Sequence, residues 1–555
     1  MQKYYPLQPI ADIVQLCALK GIKEAVLSPG SRCAPLTLGF VRHPDIHTRT
    51  ISDERSAAFI AMGIAQQQDN PVAIVCTSGT AALNYAPAVT EAYYQHIPML
   101  VLTADRPDEW IDQLDGQTIR QRDIFSNHIK KSYHLPVDYS HPEAQWYIQR
   151  SISEAINLSK EYPQGPVHVN IPIREPFYPE IDEQYFFNPD LRNIEEHTFA
   201  PVMTKEHFAP YKTQLKSFSK VLIVAGQTKG DQELGTILEQ FPYPVCADVI
   251  SNYSYLKNAI HHQDVFLGKV DEALQPDLLV TFGNSVISKN LKLYLRKYKP
   301  KAHWHIQEAG HVADTFQSLS SIIRCTPKSF FEQWATLNHS TEEYLKDWKK
   351  WDEQVTTNMA SFLKGQPFSE LETVHDLLQA LPENTQLHLA NSMSVRYANF
   401  INLQNRKDIT VFANRGTSGI DGSNSTMIGH SLATDYPNVL LTGDLAFFYD
   451  RNAFWNSYRK GNQKVLLLNN HGGVIFRMIP GPARQPELED YFETPQQSTA
   501  QQLCEEFGIA YLHANSRDGL EELLPAFIAS DQACILEVET DKAISKEVFQ
   551  AFKKL

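Results

Sequence analysis

Short apolar runs that each end in a polar cluster recur along this chain, and they constrain the fold more than any other feature. PVAIVC leads into Thr77-Ser78-Gly79-Thr80, and PMLVLT into Ala104-Asp105-Arg106. NVLLTG leads into Asp444, and KVLLL into Asn469-Asn470. Helix-like stretches separate the runs. In one of them Ala57, Ile60, Ala61, Ile64 and Ala65 recur at helical spacing. Strands alternating with helices mean βαβ units and parallel sheets. The polar ends then lie at the carboxyl edges of the strands, where ligands bind in such sheets.

At 555 residues the chain exceeds what one core supports. The pattern predicts an α/β protein of three doubly wound parallel-sheet domains, residues 1–180, 181–345 and 346–555. The proline-rich GPVHVNIPIREPFYPE (165–180) closes the first block. Residues 181–210 carry no clear period and read as a linker. The second block contains SKVLIVAGQT and PDLLVTFGNS but no GxGxxG, which weakens a nucleotide-binding reading there. Residues 340–365 read as a charged helical bridge. Blocks one and three share a strand–loop–helix style that hints at a duplicated fold.

With 43% hydrophobic and 21% charged residues, the composition is that of a soluble globular protein. No apolar run is long enough for a membrane span. The first residues, MQKYYPLQPIADIV, lack a signal-peptide core, and the seven cysteines are scattered without a CxxC. A cytoplasmic location is expected. The net charge of −14 argues against nucleic acid as the main partner.

Asp444 and Asn470 stand 26 residues apart. A carboxylate, an amide oxygen and a glycine carbonyl are hard ligands suited to Mg²⁺ beside a phosphate-bearing molecule. Glu54 follows a strand-like run at a helix start. It reads either as an acid complementing the helix dipole or as a catalytic carboxylate. ANRGTSGIDGSNST (413–426) reads as a flexible loop whose N–H groups hold an anion. Within it Ile420 is either a staple into the core or a wedge under a ligand. Arg32, Arg106, Arg396 and Arg415 lie in or just after loops at predicted strand ends, and together they suggest a substrate with several carboxylates. Gln117 could orient a bound group. His471 reads as a turn residue, and the aromatic run FFYDRNAFW (447–455) as packing behind the acid loop.

SPGSR (28–32), SDERSAAF (52–59), TSGTA (77–81), LTADRP (102–107), GQTIRQ (116–121), NSMSVR (391–396), NRGTSGIDG (414–422), GDL (443–445) and NNHGGVIF (469–476) occur in this order. Together with GPVHVNIPIREPFYP they resemble the thiamin-diphosphate-dependent 2-succinyl-5-enolpyruvyl-6-hydroxy-3-cyclohexene-1-carboxylate synthase family of menaquinone biosynthesis. The resemblance runs from about residue 20 to 480. It implies decarboxylation of 2-oxoglutarate and addition of the resulting succinyl-semialdehyde carbanion to isochorismate. It implies thiamin diphosphate and Mg²⁺ or Mn²⁺ as cofactors. By resemblance Glu54 activates the cofactor, and Asp444, Asn470 and the Gly472 carbonyl ligate the metal. Ile420 supports the bent cofactor, with Ser392, Arg415, Gly443, Leu445 and Ala446 around it. Ser31, Arg32, Arg106, Gln117, Lys289, Arg396, Arg415, Ile475 and Phe476 contact substrate, Gln117 with a catalytic part. Active sites at the subunit interface of a homodimer or homotetramer are also implied. Two positions depart from the family: its adjacent basic pair in the second domain is here Lys289 followed by Asn290, and His471 stands where a small polar residue is common. The alternatives are an acetolactate synthase-like 2-oxoacid decarboxylase or carboligase, and a non-catalytic cofactor-binding homologue.

Overall fold

The computed structural model describes residues 3–4, 7–337 and 342–555. Met1, Gln2, Tyr5 and Pro6 of the N-terminal stretch, and Ser340 and Thr341 at the start of the expected bridge, lie outside the described residues. Three six-stranded parallel sheets carry the architecture, with helices flanking them, as the sequence predicts.

The first sheet is built from Glu24–Leu27, His47–Thr50, Val72–Cys76, Met99–Asp105, Ser132–His134 and Pro166–Pro172. Counted by appearance in the chain, its strands lie in the order 2-1-3-4-6-5. The third contains Gln386–Leu389, Thr410–Phe412, Asn438–Gly443, Gln463–Asn469, Ala510–Ala514 and Cys534–Glu539, and repeats that order. The duplication hinted at by the sequence is therefore real at the level of topology.

The middle sheet differs. Val221–Ala225, Val245–Ala247, Ala259–Ile260, Leu278–Phe282, Ala302–Ile306 and Ser321–Ile323 lie in the order 3-2-1-4-5-6. That is the dinucleotide-fold order, reached here without the glycine fingerprint. The apolar runs become strands because they are buried along their length: every residue of Val72–Cys76, Met99–Asp105 and Val221–Ala225 is shielded from solvent.

The chain divides into two compact units. The first comprises residues 1–198, 414–435 and 449–460; the second comprises 199–413, 436–448 and 461–555. Within the first, helix Glu54–Gln68 packs against helix Ser423–Ala433. The crossing depends on two glycines. A Cβ on Gly63 would stand 2.2 Å from the Thr426 carbonyl oxygen, and one on Gly429 would stand 2.1 Å from that of Ile60. Only hydrogen fits at either position.

Two expectations are overturned and a third is sharpened. Residues 181–198 are no free linker: Glu183–Gln184 pairs with Lys3–Tyr4, and Phe187 and Leu191 pack on the first core. Helix Lys205–Leu215 then begins inside the stretch read as unstructured. The charged stretch is helical as expected, over Glu342–Lys364, and it is amphipathic, burying Tyr344, Trp348, Val355, Met359 and Leu363 in the core of the second unit. The aromatic run does not pack as one block: Phe447 and Phe454 are buried, whereas Tyr449 and Trp455 are more than half exposed.

Candidate active site

Four loops leave the carboxyl edge of the first sheet, and part of that edge forms a cavity of about 400 Å³. Glu54, Thr77, Ser78, Gly79 and Gln117 line it. Glu54 is the first residue of its helix because Asp53 caps it, one carboxylate oxygen accepting from Ser56 N–H at 3.1 Å. The other Asp53 oxygen accepts from Asn452 Nδ2 at 2.7 Å. Asp53 thus does the capping, and Glu54 beside it lines the cavity. Gly79 sits at φ +90°, and a side chain there would press on the Gln117 backbone. Among the described residues, the hydroxyls of Thr77 and Ser78 are buried without a hydrogen-bond partner. Buried polar atoms normally find one, so these two suit a ligand with polar ring atoms.

Gln121, at the end of GQTIRQ, is the internal brace of this wall. Its Oε1 accepts from Gly79 N–H at 2.7 Å, and its Nε2 donates to Ala104 O at 3.1 Å and Asn170 Oδ1 at 3.0 Å. Asn170 Nδ2 also donates to Asp105 Oδ2 at 2.7 Å. Burial pushes the Asp105 carboxyl up to about 6 against these bonds. Unlike Gln117, which lines the cavity, Gln121 is buried behind it, and its partners are remote in the chain and leave no mark in the local sequence.

Arg32 follows the same edge but is buried. Its Nη1 donates to Ile173 O at 2.8 Å, and its guanidinium lies 4.4 Å from the Phe177 ring centre. The IREPFYP segment therefore holds this arginine. Ser31, beside it, is exposed. Arg106 is tied to the turn that carries Gln117: its Nη2 donates to Gly116 O at 2.6 Å and its Nε lies 2.9 Å from Asp115 Oδ2. Gln117 itself has φ +57°.

The glycine-rich 414–422 loop also belongs to the first unit. Its N–H groups are not all open to an anion, as the sequence suggested. Glu91, itself buried, accepts from Gly416 N–H and Thr417 N–H at 2.7 Å each, and from the Thr417 hydroxyl. An internal carboxylate thus fills the place expected for an external anion. Ile420 is 38% exposed and is not a core staple. Arg415, between Asn414 and Gly416, lies on the same loop.

The second constellation lies in the second unit, at the ends of adjacent strands in register, Gly443 opposite Leu468. Asp444 opens helix Asp444–Tyr449 and is buried. Its Oδ1 accepts from Leu445 N–H and its Oδ2 from Gln496 Nε2, both at 2.8 Å. Burial raises its carboxyl above the usual range, opposed by Gln496 and by the N–H groups of Leu445 and Gly472. Asn469 is saturated: Nδ2 donates to Glu537 Oε1 at 2.6 Å, while Oδ1 accepts from Gln496 Nε2 and from His471 N–H, each at 3.1 Å. Asn470 donates from Nδ2 to Glu370 Oε1 at 2.6 Å, but its Oδ1 is buried without a partner among the described residues. Burial pushes Glu370 up to about 7, with the Asp444 charge adding to that and the bonds from Asn470 and Tyr397 opposing it.

His471 is a turn residue at φ +61°, its Nε2 lying 2.8 Å from Glu539 Oε1. Gly472 admits no side chain, since a Cβ would approach Glu493 O to 2.8 Å. Ser392, at φ +71°, precedes helix Met393–Ile401, and Arg396 on that helix donates to Ser392 O. Leu445 and Ala446 follow Asp444 on its helix. Ile475 and Phe476 open the short helix Ile475–Met478, with the Phe476 ring 5.8 Å from that of Phe492. Lys289 is exposed at the start of helix Lys289–Lys297. Asn290 is there for local reasons: its N–H and its Nδ2 bind Asp264 Oδ1 and O at 2.8 and 2.6 Å.

Among the described residues no three His, Cys, Asp or Glu side chains cluster as a metal site. The donor set is instead one carboxylate, one unpaired amide oxygen and a glycine carbonyl nearby. That all-oxygen set fits Mg²⁺ or Mn²⁺ completing its shell on a diphosphate.

Comparison with known proteins bears on both constellations. Residues 10–129 match the family model described as thiamine pyrophosphate enzyme, N-terminal TPP binding domain. Residues 194–389 match the one described as middle domain of thiamine pyrophosphate. Fold and site thus define a thiamin-diphosphate enzyme. Three proteins named 2-succinyl-5-enolpyruvyl-6-hydroxy-3-cyclohexene-1-carboxylate synthase align nearly end to end. That of Cytophaga hutchinsonii is 43% identical over 99% of both chains. That of Flavobacterium johnsoniae is 38% identical over 99% of this chain and 100% of its own. That of Bacteroides fragilis is 35% identical over 97% of each. The chain belongs to the 2-succinyl-5-enolpyruvyl-6-hydroxy-3-cyclohexene-1-carboxylate synthase family.

Proposed function

We propose that this chain releases CO₂ from 2-oxoglutarate and transfers the remaining succinyl-semialdehyde unit to isochorismate, as a step of menaquinone biosynthesis. The observation that carries this reading is the unpaired Asn470 Oδ1 beside Asp444 at the ends of adjacent parallel strands. In a family that takes thiamin diphosphate, a metal-bound diphosphate belongs there. When bound, the cofactor supplies a thiazolium carbon that stabilises the carbanion equivalent left by decarboxylation.

The chain's residues do the rest. Asp444, Asn470 and the Gly472 carbonyl would hold Mg²⁺ or Mn²⁺, with Ser392, Gly443, Leu445 and Ala446 around the diphosphate. Glu54 would hydrogen-bond the aminopyrimidine and move its proton, and Ile420 would brace the cofactor. Arg32, Arg106, Arg396 and Arg415 would bind the substrate carboxylates, with Ser31, Gln117, Lys289, Ile475 and Phe476 completing the contacts. Gln117 would also orient the reacting group. Domains 1–180, 181–345 and 346–555, assembly into a homodimer or homotetramer with active sites at the subunit interface, and a cytoplasmic location belong to the same proposal.

The test is CO₂ release from 2-oxoglutarate with thiamin diphosphate and Mg²⁺, with and without isochorismate. The reading requires an isochorismate-dependent adduct. CO₂ release with no adduct would leave a thiamin enzyme of other specificity.

A further inference from the structure

We propose that Glu370 is a positioning residue for the divalent cation: it fixes the Asn470 amide so that Oδ1 faces the metal and cannot turn away. This rests on the reading of Asp444, Asn470 and Gly472 as metal ligands.

An asparagine amide has two ends of nearly equal size, one an acceptor and one a double donor. Rotation by half a turn would present N–H groups to a cation and abolish ligation. Something must therefore choose the orientation before the metal arrives. At Asn469 the choice is visible, since both ends of its amide are engaged by fixed partners. At Asn470 only the donor end is engaged, and its partner is Glu370 Oε1 at 2.6 Å. Oε2 accepts from the Tyr397 hydroxyl at 2.8 Å. Oε1 thus accepts from Asn470 while Oε2 is taken up by Tyr397, and an accepting Oε1 tolerates one orientation of the amide.

The support behind it is rigid. Glu370 is 1% exposed and opens helix Glu370–Ala380, its N–H donating to Ser545 Oγ at 3.3 Å. Tyr397 is fully buried, its ring edge-on to Phe549 at 5.3 Å. A chain of fixed groups, Phe549–Tyr397–Glu370–Asn470, ends at the Asn470 Oδ1, which has no partner among the described residues. Such outer partners of a ligand commonly change metal affinity 10–100-fold.

Glu370→Gln is the discriminating variant. It keeps the shape but can offer an amide N–H₂ to Asn470, which then turns its oxygen inward. Mn²⁺ binding to the full-length protein is followed by the electron paramagnetic resonance of free Mn²⁺, at fixed thiamin diphosphate. Glu370→Gln should weaken Mn²⁺ about 10–100-fold, and turnover should return at saturating Mn²⁺, which a damaged fold would not allow. Tyr397→Phe should weaken Mn²⁺ by less, about 3-fold, because it frees only one carboxylate oxygen. Asp444→Asn tests the underlying reading. If it weakens Mn²⁺ while Glu370→Gln and Tyr397→Phe bind as wild type, the positioning role is wrong and the ligand assignment stands. If Asp444→Asn binds Mn²⁺ normally, the ligand assignment fails and takes the positioning role with it. If Glu370→Gln does not fold, Tyr397→Phe decides: weakened binding supports the role and wild-type binding overturns it.

Discussion

The first and third sheets share one strand order and carry different chemistry on equivalent loops. After the first strand of each come Ser28-Pro29-Gly30-Ser31-Arg32 and Ala390-Asn391-Ser392. After the second come Asp53-Glu54 and the segment from Asn414 to Gly422. After the third come Thr77-Ser78-Gly79 and Asp444-Leu445. After the fourth follow Arg106 and Asn470. Topology therefore dictates where functional groups stand, at the carboxyl edge. Hydrogen-bond saturation decides what they accept. The first edge keeps a cavity of about 400 Å³ with a carboxylate and unpaired hydroxyls on its wall, a setting for a planar polar ring. The third edge has little slack: Asp444, Asn469 and Gln496 satisfy one another, and the Asn470 amide oxygen is left without a partner among the described residues. That is a setting for a small hard cation.

The sharpest way to break this division is Glu54→Gln. If the first edge performs proton chemistry and the third only anchors, turnover should fall by about 10³-fold or more while metal-dependent cofactor binding stays within a few-fold of wild type. Rates of CO₂ release and titration of cofactor binding by intrinsic fluorescence separate the two. Equal loss of both would merge the two edges into one function.

Next in size is the helix crossing. Helices Glu54–Gln68 and Ser423–Ala433 follow the second strands of the two repeated folds, so they are equivalent elements packed on each other. Gly429→Ala puts a methyl 2.1 Å from a carbonyl oxygen. The helices must part, at a cost of about 1–3 kcal/mol, read as a lower urea midpoint. Because Glu54 opens one of these helices, kcat should fall with it. An unchanged midpoint would mean the crossing is slack.

A smaller effect belongs to Glu91. Replacing it by Gln gives the 414–422 loop a carbonyl on one side and a clashing N–H₂ on the other. Losing one charge-assisted hydrogen bond, roughly 1.5 kcal/mol, should raise KM about 10-fold through Arg415 with little change in kcat. A change in kcat alone would remove Arg415 from substrate binding.

The sheets, their parallel sense and the positions of Glu54, Asp444 and Asn470 were legible in the sequence, because buried strands announce themselves as apolar runs and their ends as polar breaks. The strand order was not legible, since pairing between distant runs leaves no local mark. Nor were the supporting groups. Glu370 looks like any acid at a helix start, and only folding brings it to Asn470, 100 residues away. Glu91 sits mid-helix in APAVTEAYYQ with nothing local to mark it, yet it binds the Gly416 and Thr417 N–H groups of a loop read as an anion site. Arg32 was legible as a cation but not as one already engaged by Ile173 and Phe177. Local pattern reveals a group; its hydrogen-bond saturation is a tertiary property.

Asp450 gives the last and mildest test, a pH effect on stability. It is fully buried, its Oδ2 accepting from Ser425 N–H at 2.7 Å and its Oδ1 from the Ser425 hydroxyl at 2.9 Å. Burial pushes its carboxyl up to about 7, opposed by the Ser425 bonds and by Arg55, and reinforced by Asp53. An unfolded aspartate titrates near 3.9. Between those two values the folded chain holds a proton that the unfolded chain has released, so this group's contribution to stability is greatest below about pH 4 and is lost as pH rises through 7. Asp450→Asn abolishes the titration. The stability of wild type relative to the variant should therefore decline from pH 4 to pH 7, by on the order of a few kcal/mol at most. Denaturant midpoints of the two proteins across that range measure it. A gap that stays constant would mean Asp450 is ionised in the folded chain at every pH tested. The first unit would then carry a buried charge held by Ser425 and Arg55, much as the second carries Asp352, which the bonds and charge of His261 with His262 hold down to about 2 despite its burial.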